Sequence, residues 1–173
     1  MLSALVNKLV EYLRLLLFMA ALLIGVQAPG FIQQYENTLA AHLAEARRSV
    51  APFMQDARLH TNGDIHALIE RYQQNQDAAV RDGGNNILEL LQRVEYLERM
   101  LGQLSTNALQ RGYYALVQPD PELFSEVRAA YDYRVPLNAT AIIWGLCCGI
   151  LLAGLFDLFI GLFRWMLPTR QKA

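Results

Sequence analysis

Lysine is almost missing from this chain. Lys8 and Lys172 are its only two, and the region between them uses arginine alone. No basic run with interleaved aromatics occurs, and the formal net charge is −1, so an electrostatic nucleic-acid surface is excluded. Cysteine is equally sparse. Cys147 and Cys148 are adjacent in an apolar run, where neighbours point apart and cannot staple a domain; they read as two small buried thiols. Runs of alternating β-branched residues are lacking, which argues against sheets. Ser49, Ser105 and Ser125 lie in no nucleophile elbow. Gly83-Gly84 forms no phosphate-cradling loop. His60, Asp64 and His66 surround one turn without metal-ligand spacing, and His42 lies elsewhere. No cofactor, metal or catalytic residue is therefore expected, and an enzyme is the least expected reading.

Charge is scarce too, at 18% of residues against 54% hydrophobic. An ordinary soluble domain has about 25% charged residues. The deficit lies at the two ends, and most clearly in residues 136–167. From Val135 to Phe156 no side chain is charged, which is long enough for one helix to cross a bilayer core. Ala141, Gly145, Gly149, Ala153, Asp157 and Gly161 recur at steps of four, a ridge of small side chains with one carboxylate in it. Such a ridge lets helix backbones approach closely. Its partner is expected to be the chain's own first helix, which offers Ala20, Ala21 and Gly25, or else another subunit. Asn138-Ala139-Thr140 matches a glycosylation triplet at the membrane edge and is expected to be inert. Trp165 fits an interfacial belt.

Residues 1–28 form the other apolar end. Asn7, Lys8, Glu11 and Arg14 share one side of a helix, opposite Leu5, Leu9, Leu13, Leu16 and Leu17. From Leu15 to Val26 the helix is apolar all round. One helix that begins amphipathic at the interface and then enters the membrane fits this pattern. A cleavable signal peptide competes through Val26-Gln27-Ala28. Pro29 after the cut and Glu11 and Arg14 within the apolar region argue for retention. Lys8 and Arg14 at one end, with Arg164, Arg170 and Lys172 at the other, put both termini in the cytoplasm; Arg128 and Arg134 weigh the other way.

The fold class expected is an all-α membrane protein with two transmembrane helices. A helical bundle or hairpin of residues 29–135 lies between them outside the cytoplasm, and 168–173 form a cytoplasmic tail. Pro29-Gly30 reads as a kink or break. Ile32, Leu39, Ala46 and Phe53, with Leu43 and Val50, predict a helix from about Phe31 to Arg58, bent or ended near Pro52. After a turn at His60–Gly63, Asp64 caps a helix carrying Ile65, Leu68, Ile69, Tyr72, Ala79 and Val80, broken at Asp82-Gly83-Gly84-Asn85. Ile87, Leu90, Val94, Leu97, Leu101, Leu104 and Ala108 form a coiled-coil-like seam. The seam is either broken near Ser105-Thr106-Asn107 or continuous to Gly112. Asp120 with Pro121 starts a last outer helix running to Arg134, before a second kink at Pro136.

Three passages resemble a family of short bacterial inner-membrane proteins, domain of unknown function 2937. They are GVQAPGFIQQYENTLAAHLAEARR after the first apolar segment, DPELFSEVRAAYDYRVPLN before the second, and the glycine-bearing final helix. The resemblance implies a two-pass protein of the bacterial inner membrane with a periplasmic helical domain. It brings no activity and no catalytic residues.

Asp157 is the sharpest candidate. A carboxylate at the centre of a membrane helix costs up to about 2.5–3.5 kcal/mol. At 1.5 Å per residue, Asp157 lies roughly 30 Å below Pro136, Lys8 lies similarly far below Ala28, and Arg14 is about 10 Å shallower. An ion pair of Asp157 with Lys8 or Arg14 is expected, near the cytoplasmic interface. The function expected is a non-catalytic accessory, scaffold or assembly subunit acting through helix packing. Its partners would be the lipid bilayer and a membrane protein or a second copy. A sensor-like module relaying to a partner, or a small oligomeric channel or transporter component using Asp157, are the alternatives.

Overall fold

The computed structural model describes residues 2–105, 107–132 and 138–166. Thr106, Arg134, Pro136, Leu167, Arg170 and Lys172, and the side chains of Arg164 and Trp165, lie outside the described residues, so the expectations resting on them do too. Six helices and no strand occur among the described residues: α1 Leu2–His60, α2 Ile65–Gln73, α3 Ala78–Leu104, α4 Ala108–Leu116, α5 Pro121–Ala130 and α6 Ala139–Met166. The chain divides into two units. One is Met1–Gln33 with Tyr131–Ala173; the other is Gln34–Ala130.

Helix α1 is helical through both prolines, which overturns the break at Pro29-Gly30 and the end near Pro52, one of the two alternatives expected at each. An interior proline costs about 3 kcal/mol by removing one ladder bond and crowding the carbonyl four residues back. Burial of one branched aliphatic side chain contributes about 1.5–3 kcal/mol. Val26 and Ile32 are both buried beside Pro29, and Phe31 meets the Tyr131 ring edge-on at 5.4 Å. Tyr131 Oη also donates to Gln27 O at 3.0 Å. Beside Pro52, Val50 and Ala57 are buried and Phe53 packs on the core. Packing on the flanking turns outweighs the local penalty.

In the unit Gln34–Ala130, Ala57, Ile65, Leu68, Ile69 and Ile87 form a core covered by Phe53, Tyr72, Leu88 and Leu91. The turn before α2 uses Asn62 (φ 54°) and Gly63 (φ 87°), which suits glycine and asparagine. Asp64 caps α2, accepting from His66 N and Ala67 N at 2.9 and 3.1 Å. Helix α2 ends at Gln73, so Ala79 and Val80 belong to α3, not to α2.

The expected break at Asp82-Gly83-Gly84-Asn85 is absent; α3 runs through it. Gly84 is buried against α2, and a Cβ there would lie 2.9 Å from Gln73 Cγ and from Tyr72 Cβ. The glycine admits a close helix approach, at a propensity cost of about 1 kcal/mol. Along the α3 seam Ile87, Leu97 and Leu104 are buried and Leu90, Val94 and Leu101 half-buried, while Ala108 is exposed and opens α4. The seam thus ends at Leu104. Asn107 caps α4, accepting from Gln110 N at 2.8 Å, and Gly112 is packed inside that helix instead of ending it. Helix α5 stops at Ala130, short of the expected Arg134. Helix α4 turns Leu109, Tyr113 and Leu116 outward, and Val117, the residue that caps its C-terminus, extends the same stripe.

Candidate functional site: the α1–α6 pair and the Asp120 junction

Asn138 starts α6, accepting from Ala141 N at 2.8 Å through its side chain. The glycosylation triplet is therefore a helix cap. Beyond it, a stretch of α6 from Ala139 to Leu162 has a mean hydropathy of 2.2, yet only 11% of its most apolar window is buried. A core helix of a water-soluble protein would be mostly buried. Ile150, Leu151, Leu158 and Phe159 instead stand outward, as do Leu5, Leu9, Leu16 and Ile24 on α1. Both helices are long and apolar enough to cross a membrane.

The two helices touch through small residues. Ala141 is fully buried, and Gly145 and Gly149 are buried. A Cβ on Gly145 would collide with Val26 Cγ2 and stand 2.9 Å from Leu22 O. One on Gly149 would meet the Phe18 ring at 2.8 Å, and one on Gly25 would meet Cys148 Cβ at 2.8 Å and Trp144 O at 2.9 Å. On α1, Ala21 is buried but Ala20 is exposed. The ridge does not continue to its end. Ala153 is half-buried, Asp157 and Gly161 are exposed, and a Cβ on Gly161 would meet nothing within 4 Å. Four residues advance a helix by about 400°, so a row at steps of four drifts about 40° each time away from a fixed contact line. The half-buried positions move to Phe156 and Ile160 accordingly. Gly161 is not part of the contact.

Asp157 lies at the flank of this line. Arg14 Nη1 donates to Asp157 Oδ2 at 3.3 Å, with the two side chains about half exposed. Lys8 pairs instead with Glu11 on its own helix, at 3.6 Å. Register explains the choice. Val26 faces Gly145, Arg14 is twelve residues before Val26, and Asp157 is twelve after Gly145. Antiparallel helices that meet at the first pair meet again at the second. Counting depth from Ala28 and Pro136 favours Lys8 because it takes those two residues as level. Val26 is in fact level with a residue nine places beyond Pro136. Next to the ion pair, a cleft of about 400 Å³ is lined by Lys8, Glu11, Tyr12, Arg14, Leu15, Phe18 and Ala153.

A polar junction in the Gln34–Ala130 unit was not visible in the sequence beyond its cap. Asp120 Oδ1 accepts from Glu122 N and Leu123 N, both at 3.0 Å, starting α5. Tyr96 Oη of α3 donates to its Oδ2 at 2.7 Å, and its backbone N donates to Tyr35 Oη of α1 at 3.0 Å. One residue thus ties three helices. Burial pushes the Asp120 carboxyl up, but the bonds from Leu123, Tyr96 and Glu122 with the charge of Arg93 outweigh it and hold it low. The same bond pushes Tyr96 up to about 12. Burial raises Tyr35. Around the junction, His42 meets Glu126 at 2.9 Å and Arg47 meets Glu98 at 2.8 Å. The covered Oε2 of Glu36 lies 3.7 Å from Arg111, an ion pair too long for a hydrogen bond. His60 and His66 are exposed, apart from this junction. Among the described residues no three His, Cys, Asp or Glu side chains group as metal ligands.

These features define a class: an all-helical protein with two helices of membrane-crossing length, packed on each other through glycine and alanine. Within that class the chain belongs to the family described as Protein of unknown function (DUF2937), whose family model matches residues 9–168. No curated protein and no solved structure matches it.

Proposed function

We propose that this is a two-pass protein of the bacterial inner membrane, with a periplasmic helical domain, that acts as a non-catalytic accessory, scaffold or assembly subunit. The stripe of Leu109, Tyr113, Leu116 and Val117 on α4 carries this reading. Leu109 is 82% and Val117 69% exposed on a helix whose other face, at Gly112 and Ala115, is packed. An apolar face at this spacing suits a partner helix. The outward apolar residues of α1 and α6 support the membrane placement, and their glycine contacts support a fixed helix pair as its anchor. The Arg14–Asp157 pair weighs against the channel alternative, since the carboxylate faces a cation of its own chain instead of a wet path.

A tagged chain purified from its native membrane in mild detergent tests the proposal. A stoichiometric partner protein, lost in the Leu109→Asp/Val117→Asp variant, is the expected result. A lone chain that binds no partner would contradict it. A groove of about 470 Å³ lined by Tyr96, Arg99, Gln103 and Tyr114 supports a sensor-like module as the second reading. A small molecule retained there after purification would favour that reading.

A further inference from the structure

We propose that the cleft beside Arg14 binds a phospholipid whose headgroup carries both a phosphate and an ammonium group. The inference rests on the reading of α1 and α6 as membrane helices. The two helices press together at Gly145 and Gly149, and a cleft opens beside their contact line between Phe18 and the Arg14–Asp157 pair. Its volume, about 400 Å³, is in the range of small-ligand sites.

The lining has two zones. Leu15, Phe18 and Ala153 make an apolar floor. That floor suits the first methylenes of an acyl chain. The rim carries Lys8, Glu11, Tyr12 and Arg14, with Asp157 held against Arg14. Two cations and two carboxylates sum to no net charge, so a purely anionic headgroup gains from one pair and is repelled by the other. A zwitterionic headgroup satisfies both, its phosphate at Lys8 and Arg14 and its ammonium at Glu11. Lys8 and Glu11 are 69% and 61% exposed despite their mutual contact, so both are open to a ligand. A water-soluble phosphate would have no use for the floor, and the mixed rim gives a free inorganic anion little advantage.

Native mass spectrometry of the full chain in detergent, titrated with phosphatidylethanolamine, phosphatidylglycerol and diacylglycerol, tests this. One phosphatidylethanolamine per chain, held at least about tenfold more tightly than the other two, is expected from the loss of one charge-assisted contact in each. Glu11→Gln should abolish the preference over phosphatidylglycerol, and Lys8→Gln the preference over diacylglycerol. Both positions are exposed, so folding is preserved. Should a variant nevertheless fail to fold, the selectivity of the unaltered chain decides alone. Equal retention of all three lipids, or a preference untouched by both substitutions, would overturn the proposal. Failure of the membrane reading has a different signature: the chain would be released by alkaline carbonate without detergent.

Discussion

Gly145 and Gly161 make an opposed pair of tests. A side chain on Gly145 must displace Val26 and approach Leu22 O, so Gly145→Val should part α1 from α6. Overpacking of this kind costs about 1–3 kcal/mol. Gly161→Ala meets nothing within 4 Å and should leave stability unchanged or slightly raised. Thermal unfolding in detergent reads both. Equal effects at the two sites would contradict the contact line drawn above. The Asp120 junction gives a pH test with a definite sign. Tyr96, raised from 10.0 to about 12, contributes its stability in full below pH 10 and loses it as pH climbs toward 12. Asp120, held below 3.8, contributes in full above that pH and loses it as pH falls further. Tyr96 is exposed, so Tyr96→Phe should cost only about 1 kcal/mol at neutral pH. The difference between variant and parent should shrink at both pH extremes, as read by circular dichroism. A pH-independent difference would mean that packing, not the bond, is lost.

Helix α3 shows how a local signal is overruled. Gly83-Gly84 is a strong break by propensity alone, yet its position against Tyr72 and Gln73 makes close approach to α2 the deciding factor. Gly84→Leu should therefore loosen α2 from α3 by about 1–3 kcal/mol. Gly102→Ala, in open space on the same helix, should add up to about 1 kcal/mol. Chemical denaturation compares the two, and a stabilising Gly84→Leu would contradict the packing account. The apolar stripes of α1 and α3 were legible from periodicity, because buried faces must repeat at the helical period. The caps at Asp64 and Asp120 were legible too, since cap chemistry is local. The choice between continuation and a break at Pro29 and Pro52 was not, because it depends on contacts with residues such as Tyr131 that lie far along the chain. In the candidate site, Asp157 stood out as a charge in an apolar run. The rise per residue narrowed its neighbours to Lys8 and Arg14. Choosing between them required the register of two helices, which sequence spacing from the loop does not contain. The Tyr35–Asp120–Tyr96 junction left no signal because tyrosine hydroxyls find their acceptors only in the folded state.

At the scale of the whole molecule, one chain holds an apolar pair of helices and a helical unit with an outward apolar stripe at α4. The apolar pair explains why large side chains such as Leu9, Ile24, Ile150 and Leu158 can stand outward without a core to cover them. In the proposed two-pass reading, the bilayer takes the place of that core. On the proposed two-pass topology, the turn at Asn62-Gly63 lies outside the cytoplasm. A single cysteine at Asn62, in a Cys147→Ser/Cys148→Ser background, tests this central claim most directly by labelling with a membrane-impermeant maleimide. Asn62 is exposed in a turn, and its left-handed backbone costs a cysteine about 1–2 kcal/mol, too little to unfold the flanking helices. The account predicts full labelling in intact spheroplasts, with no increase on lysis. Labelling that appears only after lysis would contradict it.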